Sequence, residues 1–153
     1  SINGVELAVM ENNIAAFKTV RKEKLKQYLK DSHVPLKDFG SFLQKLSGQF
    51  HGSLGKIKDS RLKKMTLPVM TVQGGELPEL PDQAGLTLLV LSNGNWHGII
   101  PCTKVEQSTK YMVKFKKSKN GDIAGDGYLE QGETVLLLDS LAVLRREGFL
   151  LMP

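Results

Sequence analysis

Apolar residues in the first half of the chain recur three or four positions apart, the spacing of an amphipathic helix. From Ile14 onward they fall on one face, and basic residues fill most positions between them. A second segment of this kind starts at Pro35, a residue suited to a first helical turn, and a third carries Leu54 and Met65 on its apolar side. The pattern predicts three packed helices within a unit spanning residues 1–72.

The chain then reads QGGELPELPDQAG from residue 73 to 85. Glycine, proline and acidic residues dominate this stretch, and Pro78 and Pro81 exclude a regular helix. We therefore predict a linker over residues 73–84.

After the linker the apolar pattern becomes that of strands. LTLLVLS (86–92) is a short apolar run closed by the turn signal Asn93-Gly94-Asn95. Further strands are predicted over 96–107, 110–117 and 128–139, with at least one more in the tail, and the Gly-rich stretch before Tyr128 is predicted to be a solvated hairpin loop. Short strands with tight turns predict a small barrel over residues 85–153. The expected fold class is α+β, a helical N-terminal unit followed by a small β-barrel.

Charge differs between the two halves. Residues 1–66 carry 13 Lys and Arg against 6 Asp and Glu, whereas residues 67–153 carry 8 against 10. A basic half beside a nearly neutral half indicates a surface for a polyanion. The alternative is an ordinary solvated helical surface with surplus lysine.

Three further features narrow the setting of the protein. The single cysteine excludes an internal disulfide and fits a reducing, intracellular compartment, cytoplasmic or nuclear. No apolar run approaches the roughly 18–20 residues that span a bilayer, so no membrane partner is expected. The chain begins with Ser1 and ends at Pro153 without a closing element, which favours a piece of a larger protein.

The stretch NGNWHGIIPC (93–102) holds the only Trp, the only Cys and one of three His. A nucleophilic cysteine needs a base within hydrogen-bond reach. His97 and Cys102 are five residues apart, so on one strand they would point to opposite faces, unless Pro101 introduces a bulge. We interpret the stretch as a turn and a packed strand, and we expect no catalytic residues.

Metal and cofactor motifs are weak. Zinc would have to use His33, His51, His97 and Cys102, which form no close pair. A calcium loop starting at Asp122 would place Ala124 where an oxygen ligand belongs. Neither a phosphate-binding loop nor a dinucleotide-binding glycine motif occurs. We expect no metal, no cofactor and no small-molecule substrate.

The order of a short strand, NGNWHGIIPCTKV and then KYMVKF resembles SH3-like barrels of the Tudor and KOW kind over roughly residues 85–145. The matching positions are Trp96, Gly98, Tyr111, Val113 and Phe115. Helices followed by such a barrel also resemble the helical arch with a KOW insertion in RNA helicases, although no helicase motif lies in this chain.

The resemblance implies two uses. Tudor modules bind methylated Lys or Arg in an aromatic cage, for which Trp96, Phe115 and Tyr128 are the candidates. Those modules usually place an acidic residue where this chain has Lys116 and Lys117, a change that suits an anionic partner. KOW-type barrels bind RNA, DNA or neighbouring proteins, and Trp96 could also be a turn anchor without a ligand role.

The leading hypothesis is a non-catalytic accessory module that binds nucleic acid, RNA favoured, through basic helices and barrel loops. The alternative is a protein-interaction domain or chromatin reader. The predicted contacts to nucleic acid are Arg21, Lys22, Lys24, Lys26, Trp96, Lys114, Lys116, Lys117 and Lys119.

Overall fold

The structure, a computed structural model, describes residues 7–51, 64–72, 86–102, 112–129 and 134–151. The helices in these ranges are α1 (Lys22–Asp31), α2 (Gly40–His51) and α3 (Ser140–Glu147). Short 3-10 turns occur at Glu11–Asn13 and Leu36–Asp38. The strands are β1 (Leu7–Ala8), β2 (Ile14–Val20), β3 (His33–Pro35), β4 (Thr66–Pro68), β5 (Leu86–Asn93), β6 (Trp96–Cys102), β7 (Met112–Asn120), β8 (Ile123–Leu129), β9 (Thr134–Leu138) and β10 (Phe149–Leu150).

The described strands form two four-stranded sheets and one two-stranded ribbon. The central sheet has the order β10-β6-β5-β2, and its neighbouring strands are antiparallel. The second sheet has the order β1-β9-β8-β7, in which β1 pairs with β9 in parallel. The ribbon joins β3 to β4.

Both faces of the central sheet are covered, which explains why β5 and β6 are apolar at nearly every position. Leu88, Val90 and Ile99 belong to a first core, which also contains residues of α1 and α2. Leu89, Leu91 and other residues of these strands belong to a second core, shared with α3. Successive side chains on a strand alternate between its two faces. The helices α1 and α2 therefore lie on one face of the sheet, and α3 lies on the other.

The prediction of a helix from Ile14 is wrong, because residues 14–20 form β2 at the edge of the central sheet. Ile14 and Phe17 are compatible with either period over so short a run. The pairing of β2 with the apolar strand β5 decides the outcome, since sheet contacts override local preference. The helix starts later, and α1 buries Leu25 and Tyr28.

The predicted strands in the tail are also wrong from residue 140 to 147, which form α3. Asp139 precedes this helix and accepts a hydrogen bond from the backbone nitrogen of Ala142 at 3.1 Å, a typical N-cap contact. Val143 and Leu144 then face the second core. Their spacing from Ser140, which is also buried, is helical.

The prediction of a closed SH3-like barrel is wrong as well. The hairpin of β5 and β6 belongs to the central sheet with β2 and β10, whereas β7, β8 and β9 pair with β1 in a separate sheet. The strands expected to close one barrel are thus divided between two sheets, and each sheet includes a strand from the predicted helical half. The described strands form no closed barrel.

The Gly-rich stretch expected to be a solvated loop is mostly strand. The turn between β7 and β8 is confined to Gly121 and Asp122, and Gly121 has a φ of 61°, which glycine adopts without strain. The predicted third helix falls mainly on residues 52–63, and the predicted linker on residues 73–84, both outside the described residues. The division into residues 1–72, 73–84 and 85–153 stays a prediction.

Candidate functional site

Among the residues whose side chains the structure describes, exposed cations concentrate on α1 and on the strand before it. The helix turns Leu25, Tyr28 and Leu29 toward the first core, which leaves most of its lysines in solvent. We call the following exposed residues the basic surface: Lys18, Arg21, Lys24, Lys26 and Lys30. Lys22 is half-buried, and α1 also exposes Glu23 and Asp31. Positive charge therefore predominates on this side of the protein without being unbroken.

Asp38 brings the strand and helix parts of the basic surface together. Lys24 Nζ lies 3.8 Å from a carboxylate oxygen of Asp38, and Lys18 Nζ donates to the Asp38 backbone oxygen at 3.3 Å. The Tyr28 hydroxyl donates to the same carboxylate. Burial, together with this hydrogen bond to Asp38, raises the pKa of Tyr28 above its ordinary value, so the phenol stays protonated and keeps its donor role.

Phe17 lies apart from the basic surface although it is next to Lys18 in sequence. Its side chain is 62% exposed at the open edge of the central sheet. Neighbouring side chains on a strand point to opposite faces, so Phe17 points away from the face on which Lys18 reaches Asp38. The expectation that Phe17 faces a helical core is wrong for the same reason that its segment is a strand.

A cavity of about 310 Å³ lies at one end of the central sheet. The 3-10 turn before β2 and the turn between β5 and β6 meet there, because Ile14 pairs with Leu91. The turn at Gly94, with a φ of 59°, closes the β5–β6 hairpin. The cavity is lined by Asn12, Asn13, Ile14, Ala15, Phe42, Lys45, Leu46, Ser92, Asn93, Gly94 and His97.

Ser92 and His97 form the most defined polar pair of this cavity. They face each other across the β5–β6 hairpin, and Ser92 Oγ lies 2.7 Å from His97 Nδ1, with the tautomer of His97 deciding which atom donates. The His97 ring packs edge-on against Phe42 with centroids 5.5 Å apart. It is 4% exposed, and burial lowers its pKa to about 4, so the ring is neutral at pH 7.

Cys102 and His97 lie on opposite faces of the central sheet. His97 contacts Phe42 of the first core, whereas Cys102 belongs to the second core and its thiol donates to the backbone oxygen of Thr87 at 3.3 Å. Burial raises the pKa of the Cys102 thiol, which opposes formation of the nucleophilic thiolate. This geometry is that of strand packing and not of a Cys–His nucleophile.

Trp96 is half-buried and packs against the second core. That position is on the opposite face of the central sheet from α1. Phe115 lies on β7 and Tyr128 on β8, and both strands belong to the second sheet, whereas Trp96 lies on the central sheet. The side chains of Phe115 and Tyr128 lie outside the described part, so the aromatic cage stays a prediction.

The predicted lysine contacts of the second half also lie on β7. Lys114, Lys116, Lys117 and Lys119 fall on this edge strand of the second sheet and not in loops. Their side chains are outside the described part, and their role stays a prediction.

Asp122, considered above as a first calcium ligand, has a structural partner. Its side chain is 2% exposed and forms an ion pair with Arg146 of α3. Arg146 also donates to the backbone oxygen of Thr71 at 2.7 Å and to Glu147 at 3.0 Å. The hydrogen bond that Arg146 donates to Asp122 raises the pKa of Arg146. Through these contacts Arg146 connects α3 to the β7–β8 turn and to the segment after β4.

Within the described ranges, no three His, Cys, Asp or Glu side chains lie together as metal ligands would. The helices in those ranges are also too short and too polar to cross a membrane. Comparison of the chain with protein-family models and with curated proteins gives no match. The function must therefore be argued from the basic surface and the cavity.

The sequence pattern indicated the lysines of α1 but not the cavity. Ser92 and His97 are close in sequence, but the predicted turn Asn93-Gly94-Asn95 would have placed Ser92 opposite Trp96. The observed two-residue turn Gly94-Asn95 shifts the register by one position and pairs Ser92 with His97. Asn12 and Lys45 carried no signal, because they reach the cavity only after β2 and α2 have packed on the sheet.

Proposed function

We propose that this chain is a non-catalytic module that binds nucleic acid, RNA favoured, through the basic surface. The observation that carries the proposal is the grouping of Lys18 and Lys24 around Asp38, which brings one cation of β2 and one of α1 together at the surface. Arg21, Lys26 and Lys30 are further exposed cations on and next to α1. Exposed lysine and arginine side chains supply sequence-tolerant affinity for the phosphates of nucleic acids.

The net charge of +5 and the sequence pI of about 9.3 support the same partner class, since a polyanion is attracted to such a protein at neutral pH. The charge is also unevenly spread, with the surplus in residues 1–66. A chromatin reader is a weaker candidate, since it would depend on a cage built by Trp96 and two residues of the second sheet. Trp96 is not part of the proposed surface.

A salt series tests the proposal. Binding of a short single-stranded RNA, followed by fluorescence anisotropy, should weaken steeply with salt, because each phosphate contact releases about 0.7 counterion from a single strand. Lys26→Gln and Arg21→Gln should each lower the logarithmic salt slope by about that amount and weaken different sequences alike. Glutamine keeps the helix preference of lysine and arginine, so α1 should remain intact.

The matched control is Arg145→Gln, which removes one exposed positive charge from α3 on the other face of the central sheet. It should leave the RNA affinity and the salt slope within about twofold of the unmodified protein. Absence of binding at low salt, a flat salt dependence, or an equal loss in Arg145→Gln would each contradict the proposal.

The lysines of β7 are tested in the same assay. If they contribute, as the sequence predicts, then charge reversal by Lys116→Glu together with Lys117→Glu should weaken RNA binding more than Lys26→Gln does. Unchanged affinity would confine the contact to the basic surface.

A peptide titration tests the chromatin-reader alternative. Methylated and unmethylated peptides are added while the fluorescence of Trp96 is followed, and a change seen only with methylated peptide would favour the reader.

A further inference from the structure

The strand β2 lies at an open edge of the central sheet. The order β10-β6-β5-β2 gives it one neighbour, β5, and no other described strand pairs with its far side. The opposite edge is covered, because β10 pairs with the start of β6 and the backbone nitrogen of Met70 donates to the Ile99 oxygen at 2.7 Å. An open edge strand presents backbone groups to which a further strand can bind.

The hairpin register shows which backbone groups of β2 face the open edge. The two-residue β5–β6 turn places the residues that flank it in a hydrogen-bonded pair, so every second residue of β5 counted from Asn93 bonds to β6. The residues between them, such as Leu88, bond to β2, and Leu88 is paired with Lys18. Lys18 therefore bonds inward, and the N–H and C=O groups of its neighbours Phe17 and Thr19 point to the open edge.

The side chains beside these groups differ between the two faces of β2. Phe17 is exposed on one face, and Lys18 points to the other, where it reaches Asp38. Lys24 lies beside the same Asp38, and Arg21 adds an exposed cation just after the strand. β2 itself contains no acidic residue. The open edge thus has an apolar face and a cationic face.

These two faces determine the chemistry of a strand that could be added here. Side chains directly opposite each other on neighbouring strands interact, and pairs of opposite charge or of an aromatic with a β-branched residue are favourable, whereas like charges are not. An added strand would need an acidic residue opposite Lys18 and apolar residues opposite Phe17 and Thr19. Because these positions follow one another, the favoured sequence alternates acidic and apolar residues.

A second copy of this chain fits the open edge less well. An approaching β2 would bring its own Lys18 and Arg21 to the same region and has no carboxylate to pair with Lys18. The net charge of +5 adds repulsion between two copies. Lysine on an edge strand is also a means by which proteins avoid pairing with themselves. Charge therefore favours an acidic segment of another protein.

We propose that the open edge of β2 binds an extended acidic segment of a partner protein, which adds a strand to the central sheet. Main-chain hydrogen bonds to Phe17 and Thr19 hold the segment, an apolar side chain covers the Phe17 ring, and a carboxylate pairs with Lys18. The irregular pairing between Ile14 and Ala16 ends the regular edge on one side, so the contact is short. The inference does not depend on RNA binding, although Lys18 belongs to both surfaces.

The first test uses synthetic seven-residue peptides, which match the length of β2. A fluorescein-labelled peptide of alternating valine and glutamate is titrated with the full chain and followed by fluorescence anisotropy. We expect it to bind. The same peptide with methylated backbone nitrogens should bind about tenfold more weakly, because it cannot donate to the carbonyl groups of the edge. A peptide of alternating valine and lysine should also bind about tenfold more weakly.

Phe17→Ala tests the apolar face of the edge. It should weaken binding of the valine–glutamate peptide about threefold to fivefold, the range of a cross-strand aromatic pair, and leave RNA binding unchanged. The matched control is Phe149→Ala, which removes an exposed phenylalanine from β10 at the opposite edge of the sheet. It should bind the peptide within about twofold of the unmodified protein. Circular dichroism verifies that both variants are folded.

Four results would overturn the inference. They are no binding of the valine–glutamate peptide, equal binding of its methylated form, equal losses in Phe17→Ala and Phe149→Ala, and a dimer of the protein alone that Phe17→Ala dissociates in sedimentation. The last result would assign the edge to a second copy. Peptide binding without RNA binding would support the inference and overturn the proposed function, and RNA binding without peptide binding would do the reverse.

Discussion

Acidification should destabilise this protein through His97. In the folded state its burial lowers the pKa to about 4, whereas a histidine in an unfolded chain titrates near its ordinary value of about 6.5. Between these two values the unfolded chain binds a proton that the folded protein does not bind. The free energy of unfolding therefore decreases as the pH falls from about 6.5 to about 4, and it is fully retained above that range.

The size of the effect follows from the difference between the two pKa values. Each unit corresponds to about 1.4 kcal/mol, so the whole effect is about 3 kcal/mol, of which about 2 kcal/mol is lost between pH 7 and pH 5. Lys45 lines the same cavity and offers no compensating negative charge to a protonated ring. Such a loss is a large fraction of the stability of a typical domain, about 5–15 kcal/mol.

Urea denaturation at pH 7 and at pH 5 measures this loss, with circular dichroism and the fluorescence of the single Trp as two probes. Other groups that titrate in this range are present in both proteins, so their effect cancels when the unmodified protein is compared with His97→Gln. We expect the unmodified protein to lose about 2 kcal/mol more than the variant. Ser92→Ala should keep the pH dependence, because burial and not the Ser92 contact lowers the pKa. An equal loss in the unmodified protein and in His97→Gln would refute the reasoning.

Two predictions concern stability elsewhere in the fold, both measured by urea denaturation at pH 7. Gly98→Ala should lower the free energy of unfolding by about 1–3 kcal/mol, because the added methyl would overlap the buried side chain of Met70. Gly40→Ala is the control and should not be destabilising, since open space surrounds Gly40. Equal effects of the two substitutions would contradict this prediction. Arg146→Gln should lower the free energy of unfolding by about 3 kcal/mol, because the buried Asp122 carboxylate loses its ion pair. This value is at the lower end of the usual range for breaking a buried ion pair, since Arg146 is 37% exposed. A loss below about 1 kcal/mol would show that the pair contributes little.

The sequence predicted best those elements whose signals are local. The hairpin of β5 and β6 is bounded by an apolar run and a turn signal within residues 86–102, and it forms as expected up to Cys102. The buried side of α1 likewise follows from Leu25 and Tyr28. The strand β2 failed because its identity depends on β5, a partner far along the chain that no window around Ile14 contains.

The two parts of the candidate site, the basic surface and the cavity, also differ in how far local sequence signals predict them. Exposed lysines on α1 could be predicted, because a helix with one apolar face leaves the remaining positions in solvent. The cavity could not, because Asn12, Lys45 and His97 come from three distant segments that meet only in the folded sheet. The apolar residues near the end of the chain fit either a strand or a helix. The N-cap at Asp139 and the packing of Val143 on the second core stabilise the helix.

The pairing of β1 with β9 and of β2 with β5 has a consequence for how the protein is made. Leu7 pairs with Leu136, and Val20 pairs with Leu86, so the first strands leave the ribosome long before their partners exist. Contacts between positions so far apart raise the contact order, which slows folding because a long loop must close first. The apolar strand segments near the start would then remain uncovered during synthesis, a state that favours aggregation and the need for a chaperone.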